Sequence, residues 1–367
     1  MMKDRAVQRI FSVSPYQPGR PIDEVKRELG LKQAIKLASN ENPFGPSPKV
    51  RRAIAKAAGE INRYPDGGCY YLRAAVSAHL GVAPEQLIFG NGSDEIILLA
   101  IHAFVEPGDE VVVSHPSFAV YTIGSKIAGA DLKVIPMKDF RHDLPAMAAA
   151  VTPKTKLVFI DNPGNPSGGF VTERELKEFL ARIPRETVVF LDEAYYEYAC
   201  GENGYPDSLP WITSHPNLII ARTFSKAYAL AGLRVGYAAA DPEMIGILNR
   251  VREPFNVNSI AQAAAVAALQ DQAYYQRALE MAGTERLRLC DQIMKLGLTV
   301  ERSATNFILI NVGVKSRMIS DALMAQGVIV RDMTPWGLET YIRVTIGTPK
   351  ENQQFMKVLS GLVQRPA

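Results

Sequence analysis

Cysteine is scarce in this 367-residue chain: Cys69, Cys200 and Cys290 are widely spaced and odd in number. They read as reduced thiols of a cytoplasmic protein, not as a disulfide frame or a zinc site. The five histidines show no H-E-x-x-H or other ligand spacing, so no metal is expected. No apolar run reaches about 18 residues, which argues against a membrane-spanning helix. Met1 to Ile10 is charged and lacks the apolar core of a signal peptide. An excess of one charge is missing too. Lys plus Arg is 41 and Asp plus Glu is 38, a net of +3, and no basic run offers a nucleic acid a surface. Internal repeats and low-complexity segments are absent. What remains is an α/β enzyme, with a length that suggests about two domains.

Seven short apolar runs read as strands: Leu87–Phe89, Val111–Ser114, Leu132–Ile135, Leu157–Asp161, Val188–Asp192, Leu218–Arg222 and Val235–Ala239. They are continuous rather than alternating, as parallel strands covered on both faces should be. Helical patterns lie between them, among them Asp94–Phe104, Phe118–Gly129 and Glu173–Ala181, the last with capping-box spacing at Thr172 and Glu175. Alternating strand and helix predict a doubly wound α/β layer. After Val251 the pattern changes. An Ala-rich helical region spans Ser259 to Lys295. Strands follow at Asn306–Val312, Gly327–Val330 and Tyr341–Thr345, then a helix at Lys350–Val363. The expected organisation is an N-terminal arm over 1–37, a large domain over 38–255 and a smaller α+β domain over 256–367. The Pro-rich arm should pack on the small domain and on a partner subunit.

Ligands of open α/β sheets bind outside the carboxyl ends of the strands, and five such ends carry unusual residues. Phe89-Gly90-Asn91-Gly92-Ser93-Asp94-Glu95 runs from a strand through two glycines into a helix start, which reads either as an anion cradle or as a tight turn. Glu95 occupies the third Gly position of a dinucleotide fingerprint, which speaks against that motif. Asp161-Asn162-Pro163-Gly164-Asn165-Pro166-Ser167-Gly168 is a stiffened loop presenting asparagines. Asp192 ends a fully apolar strand and should be paired with a buried cation unless it merely caps the next helix. Lys226 sits among small, hydroxyl and apolar residues; such a lysine can act as an imine-forming amine, although most lysines are solvated charges. Arg234 and Ser225 nearby suit a phosphate. Arg343, inside an apolar strand, should face an anion or a structural carboxylate. An amine, an anion cradle, a carboxylate for a ring nitrogen and polar groups for a ring oxygen together describe a site for pyridoxal 5′-phosphate.

The chain resembles the fold-type I pyridoxal-phosphate-dependent aminotransferases, and among them the histidinol-phosphate aminotransferases. Seven blocks carry the resemblance in order: Ser39-Asn40-Glu41-Asn42-Pro43, Arg63-Tyr64-Pro65-Asp66, Gly92-Ser93-Asp94-Glu95, 162–168, Asp192-Glu193-Ala194-Tyr195, 225–234 and Arg343-Val344-Thr345-Ile346-Gly347. The resemblance implies an aspartate aminotransferase-like fold, with a mostly parallel seven-stranded sheet between helices and a smaller α+β domain. It implies that Lys226 binds the cofactor covalently and shuttles the substrate proton. Asp192 would keep the ring nitrogen protonated, and Asn165 and Tyr195 would bond the ring oxygen. Ser93, Asp94, Thr223, Ser225 and Arg234 would hold the phosphate, with Tyr64 reaching it from the neighbouring subunit of a homodimer. Phe118 would stack on the ring. Tyr16, Asn42, Arg331 and Arg343 would bind substrate. Two departures from the family pattern are mild: Ser167 stands for the commoner Thr, and Phe118 for Tyr.

The implied reaction is a ping-pong transfer of the amino group between L-histidinol phosphate and 2-oxoglutarate in histidine biosynthesis. Aromatic amino acid aminotransferases and threonine-phosphate decarboxylases are alternatives on the same scaffold. A nicotinamide dehydrogenase would leave Lys226 and Asp192 unexplained. A DNA-binding regulator would need an extension that the residues before Asn40 do not provide.

Overall fold

A computed structural model describes residues 2–15 and 19–363. All seven expected strands join one sheet. Their spatial order is 87–90, 236–239, 218–223, 188–192, 155–161, 110–115 and 131–136. The five from 218–223 to 131–136 are parallel to their neighbours. Gly236–Ala239 runs antiparallel to both strands beside it. In six of these strands continuous apolarity reports burial on both faces, and the pleat distributes it; the seventh, 131–136, is instead a half-exposed edge strand with one neighbour, and its Val134 is 49 % exposed. Val158 and Ile160 enter one apolar cluster while Leu157 and Phe159 enter the other, because successive side chains point to opposite sides. Each such Val, Leu or Phe contributes about 1.5–3 kcal/mol when fully buried. The capping box forms as expected: Thr172 accepts from the Glu175 N–H, and Glu175 accepts from the Thr172 N–H.

The second unit holds a four-stranded antiparallel sheet in the order 331–332, 341–345, 307–311, 299–300. Ile308, Ile310, Val344, Leu289 and Phe355 close its core. Among the described residues no helix is long and apolar enough to cross a membrane.

Two regions carry detail beyond the sequence pattern. The Ala-rich region is two helices, Ser259–Leu269 and Gln272–Lys295. The first packs on the helices Pro48–Ala57 and Tyr70–Leu80 and buries Ala261, Ala264, Ala265 and Ala268 in the core of the large sheet. Alanine permits that close approach. On this packing we propose that the large domain extends past 255 and that the small one begins within Gln272–Lys295. The arm is also more structured than its sequence suggests. Ile22–Leu29 is a helix between Pro21 and a left-handed Gly30, and Val25 packs on Ala38 and Ile329. Ile35–Lys36 pairs in parallel with Val328–Ile329. The turn Gln8–Ser12, however, lies against the large-domain helix Ala119–Ala128, where the Arg9 guanidinium donates to the Ile127 carbonyl at 2.6 Å.

Candidate active site

Parallel strands in register deliver their last residues to one edge. Asp161 and Asp192 are direct neighbours across two strands, and Ala221 lies beside Asp192 on the next. Above this edge opens a cavity of about 280 Å³ lined by Ser93, Asp94, Phe118, Asn165, Asp192, Tyr195, Thr223, Ser225, Lys226 and Arg234, among others. All the expected cofactor residues are therefore gathered in one place except Tyr64, which the sequence reading assigns to a neighbouring subunit.

One end of the cavity is built for an anion. The helix Ser93–Phe104 starts at Gly92 without a side-chain cap, so its first N–H groups and its positive end face the cavity. The Arg234 guanidinium lies 3.4 Å from Ser225 Oγ and 3.1 Å from Asp94 Oδ2. Thr223 Oγ1 accepts the Ser225 N–H. Glycine is required at two points. A Cβ on Gly92, where φ is +83°, would meet the Arg234 guanidinium at 2.4 Å, and one on Gly236 would meet the Ser93 nitrogen at 2.5 Å.

At the strand edge, Asp192 meets no cationic side chain among the described residues, where its sequence context calls for one. Its Oδ2 accepts from the Tyr121 hydroxyl at 2.7 Å and its Oδ1 from the Ala194 N–H at 3.0 Å. Burial pushes its carboxyl up to about 7, against the Tyr121 hydrogen bond. The adjacent Glu193 is the residue with a buried cation: Arg222 reaches it at 2.8 Å. A cation arriving at Asp192 would therefore find a carboxylate with no competing ion pair among the described residues.

Lys226 Nζ donates to the Ser39 carbonyl at 3.4 Å and lies 5.8 Å from the centre of the Tyr195 ring. Burial, then the nearby Arg343, lowers its ammonium to about 8, so a useful fraction of neutral amine exists near neutral pH. The Tyr195 hydroxyl accepts from Asn40 Nδ2 at 2.8 Å, and burial pushes it up to about 12, which keeps it a neutral hydrogen-bonding phenol.

Beyond Lys226 the cavity continues into a second pocket lined by Asn40, Asn165, Tyr195, Arg331, Trp336 and Arg343, among others. Arg331 and Arg343 are opposed residues of adjacent antiparallel strands. Arg343 donates to Asn165 Oδ1 and to the Ala38 carbonyl. Asn42 sits next to the lysine loop. It lies outside the lining of both pockets, and its Nδ2 donates to the carbonyl of Ala227, next to the reactive lysine. Tyr64 is 83 % exposed and stacks on Phe255. Tyr16 lies outside the described residues.

Several contributors escape the sequence reading. Tyr121 follows Phe118 by three positions, a spacing that shares a helix face, and its ring meets Phe118 edge-on. Asp161 accepts the Asn165 N–H at 2.7 Å and faces His142 Nε2 at 2.9 Å. The His142 ring also lies 2.6 Å from Ser114 Oγ. Asp161 ends its strand as Asp192 does, and that parallel was available in the sequence. His142 was not, because nothing local connects it to either strand.

The donor set fits pyridoxal 5′-phosphate: an uncapped helix end with hydroxyls and a guanidinium for the phosphate, an unclaimed buried carboxylate for a pyridinium and a depressed lysine for an aldehyde. Comparison with known proteins agrees. The family model for aminotransferase class I and II matches residues 32–359. The histidinol-phosphate aminotransferase of Moorella thermoacetica is 49 % identical over 96 % of this chain and 91 % of its own length. Histidinol-phosphate aminotransferase 1 of Cupriavidus pinatubonensis is 49 % identical over 95 % and 94 %. Among solved structures, histidinol-phosphate aminotransferase from Sinorhizobium meliloti, in complex with pyridoxal-5′-phosphate, superposes with a TM-score of 0.89 at 32 % identity, covering 97 % of this chain and 96 % of that one. A double mutant of aspartate aminotransferase from Thermus thermophilus shares the fold at a TM-score of 0.84 and 23 % identity, covering 98 % of this chain and 99 % of that one.

Proposed function

From the premise that this chain belongs to the class I and II aminotransferases, pyridoxal-phosphate-dependent transaminases, we propose that it transfers the amino group of L-histidinol phosphate to 2-oxoglutarate, giving imidazole acetol phosphate and L-glutamate. The observation that carries this choice of donor is the Arg331–Arg343 pair in the pocket beyond Lys226. Two cations there suit a donor that ends in a phosphate. The near-full-length likeness to histidinol-phosphate aminotransferases supports the same reading.

Bound pyridoxal 5′-phosphate supplies an aldehyde for imine formation and a ring that withdraws electrons from the donor's α-carbon. The chain supplies the rest. The helix end at Ser93, with Thr223, Ser225 and Arg234, anchors the phosphate. Asp192 holds a proton at the ring nitrogen, and Tyr121 holds Asp192. Asn165 and Tyr195 would bond the ring oxygen, and Phe118, on the cavity wall, would cover the ring. Lys226, as a neutral amine, would take the proton from the donor's α-carbon.

The active form in this reading is a homodimer to which Tyr64 is lent by the partner subunit. Supporting it is an exposed aromatic surface: Tyr64, Tyr70 and Tyr71 are 83 %, 69 % and 79 % exposed, with Ile61 at 67 % beside them in sequence. Such surface is usually covered in an assembly. Three free cysteines support a cytoplasmic location. Initial rates on L-histidinol phosphate, L-phenylalanine and threonine phosphate, each with 2-oxoglutarate, test the donor. Histidinol phosphate should lead by a wide margin; a clear preference for phenylalanine, or release of carbon dioxide from threonine phosphate, overturns the assignment. Sedimentation should give twice the chain mass, and a stable, active monomer would refute the shared site.

A further inference from the structure

Arg331 shares a wall with an aromatic ring whose position is fixed from two sides. The guanidinium carbon of Arg331 stands 5.0 Å from the centre of the Trp336 ring. Both residues line the inner pocket that reaches Lys226, and both line an outer groove with His115, Ser117 and Lys126. They therefore form the partition between the two. The turn that carries Trp336 is tied down by its own sequence. Asp332 Oδ1 accepts from the Thr334 N–H, the Thr334 hydroxyl and the Ser316 hydroxyl. Gly337, at φ +74°, closes the turn onto the Thr334 carbonyl. From the opposite unit, the Ser117 carbonyl accepts the indole N–H at 3.1 Å, one residue before Phe118.

A guanidinium on a long flexible stem costs rotamer entropy to place. A ring face held on both sides removes much of that cost, through cation–π attraction and stacking. Building on the donor reading above, we propose that Trp336 is a positioning residue: it fixes the Arg331 charge in the donor pocket and thereby sets the preference for a phosphorylated amino donor over its dephosphorylated counterpart. Its N–H contact with Ser117 also couples that placement to the Phe118 wall of the large unit.

The test compares L-histidinol phosphate with L-histidinol, which differ only in the phosphate. Binding is read from the absorbance change of the holoenzyme and turnover from kcat/KM. Loss of a partly desolvated cation–π contact should reduce the ratio of the two donors by about tenfold in Trp336→Ala. Trp336→Phe, which keeps a ring face and loses the N–H, should recover part of it. In an Arg331→Gln background, Trp336→Ala should change the ratio no further, since the two residues act as one unit. General damage would lower both donors together and leave the ratio unchanged, which overturns the proposal; so does a further fall in the Arg331→Gln background. Should the alanine variant not fold, Trp336→Leu fills the space without a π face and carries the same comparison. A wild-type enzyme that does not distinguish the two donors overturns the donor reading and this assignment with it. A wild type that distinguishes them, with variants that do so equally well, overturns this assignment alone.

Discussion

Replacing Tyr121 with Phe removes one hydroxyl and leaves its ring in place, stacked on Phe159 at 4.6 Å. The hydroxyl is one of two hydrogen-bond donors to Asp192; the Ala194 N–H is the other. A hydrogen bond to a charged acceptor contributes about 1.5–3 kcal/mol, and one pKa unit corresponds to about 1.4 kcal/mol. The variant should therefore raise the Asp192 carboxyl by about one to two units above its wild-type position near about 7. The sign follows from which form binds. A ring nitrogen carrying a proton favours ionised Asp192, so cofactor affinity is full above the carboxyl's pKa and is lost as pH falls through it. In Tyr121→Phe that loss begins at higher pH. At neutral pH, where wild-type Asp192 is about half ionised, the shift predicts binding weaker by about five- to fifty-fold. Pyridoxamine 5′-phosphate is the suitable probe, because it has no aldehyde and condensation with Lys226 does not enter. Equilibrium dialysis of the apoprotein from about pH 6 to about pH 9 gives the profile. Superimposable affinity curves for the two proteins would refute the assignment of Tyr121 as the group that holds Asp192 ionised.

Two more outcomes follow from the same geometry. Arg222 is 3 % exposed and pairs with Glu193, which is 0 % exposed, so Arg222→Met strands a buried carboxylate and should cost about 3–5 kcal/mol of stability; an unchanged midpoint in urea unfolding would contradict this. Gly236→Ala places a Cβ 2.5 Å from the Ser93 nitrogen, and should weaken binding of pyridoxal 5′-phosphate by about tenfold or more through loss of charge-assisted hydrogen bonds, while affinity for pyridoxal itself, which lacks the phosphate, changes little. Equal losses for both ligands would place the damage elsewhere.

Local chemistry determined much of this protein. Continuous Val, Ile and Phe runs specify strands covered on both faces, as six of the seven are, the edge strand 131–136 excepted; all seven appear within two residues of their expected starts, as does Glu173–Leu180 behind its capping box. Lys226, Asp192 and the 90–95 turn were legible because each breaks a local rule: a charge among apolar residues, or glycines at a helix start. Tertiary structure alone decided the rest. Asp192 faces a tyrosine and Glu193 the arginine because the pleat sends consecutive side chains to opposite faces, and which face holds Arg222 depends on a neighbouring strand. Asn40 reaches the Tyr195 hydroxyl and Asn42 the Ala227 carbonyl, contacts across long separations that no spacing announces. The Ala-rich helix 259–269 joins the large core because its small face matches two helices about 200 residues earlier in the chain. Sequence pattern fixes what a segment must bury or satisfy; the partner that satisfies it is chosen only when distant segments meet.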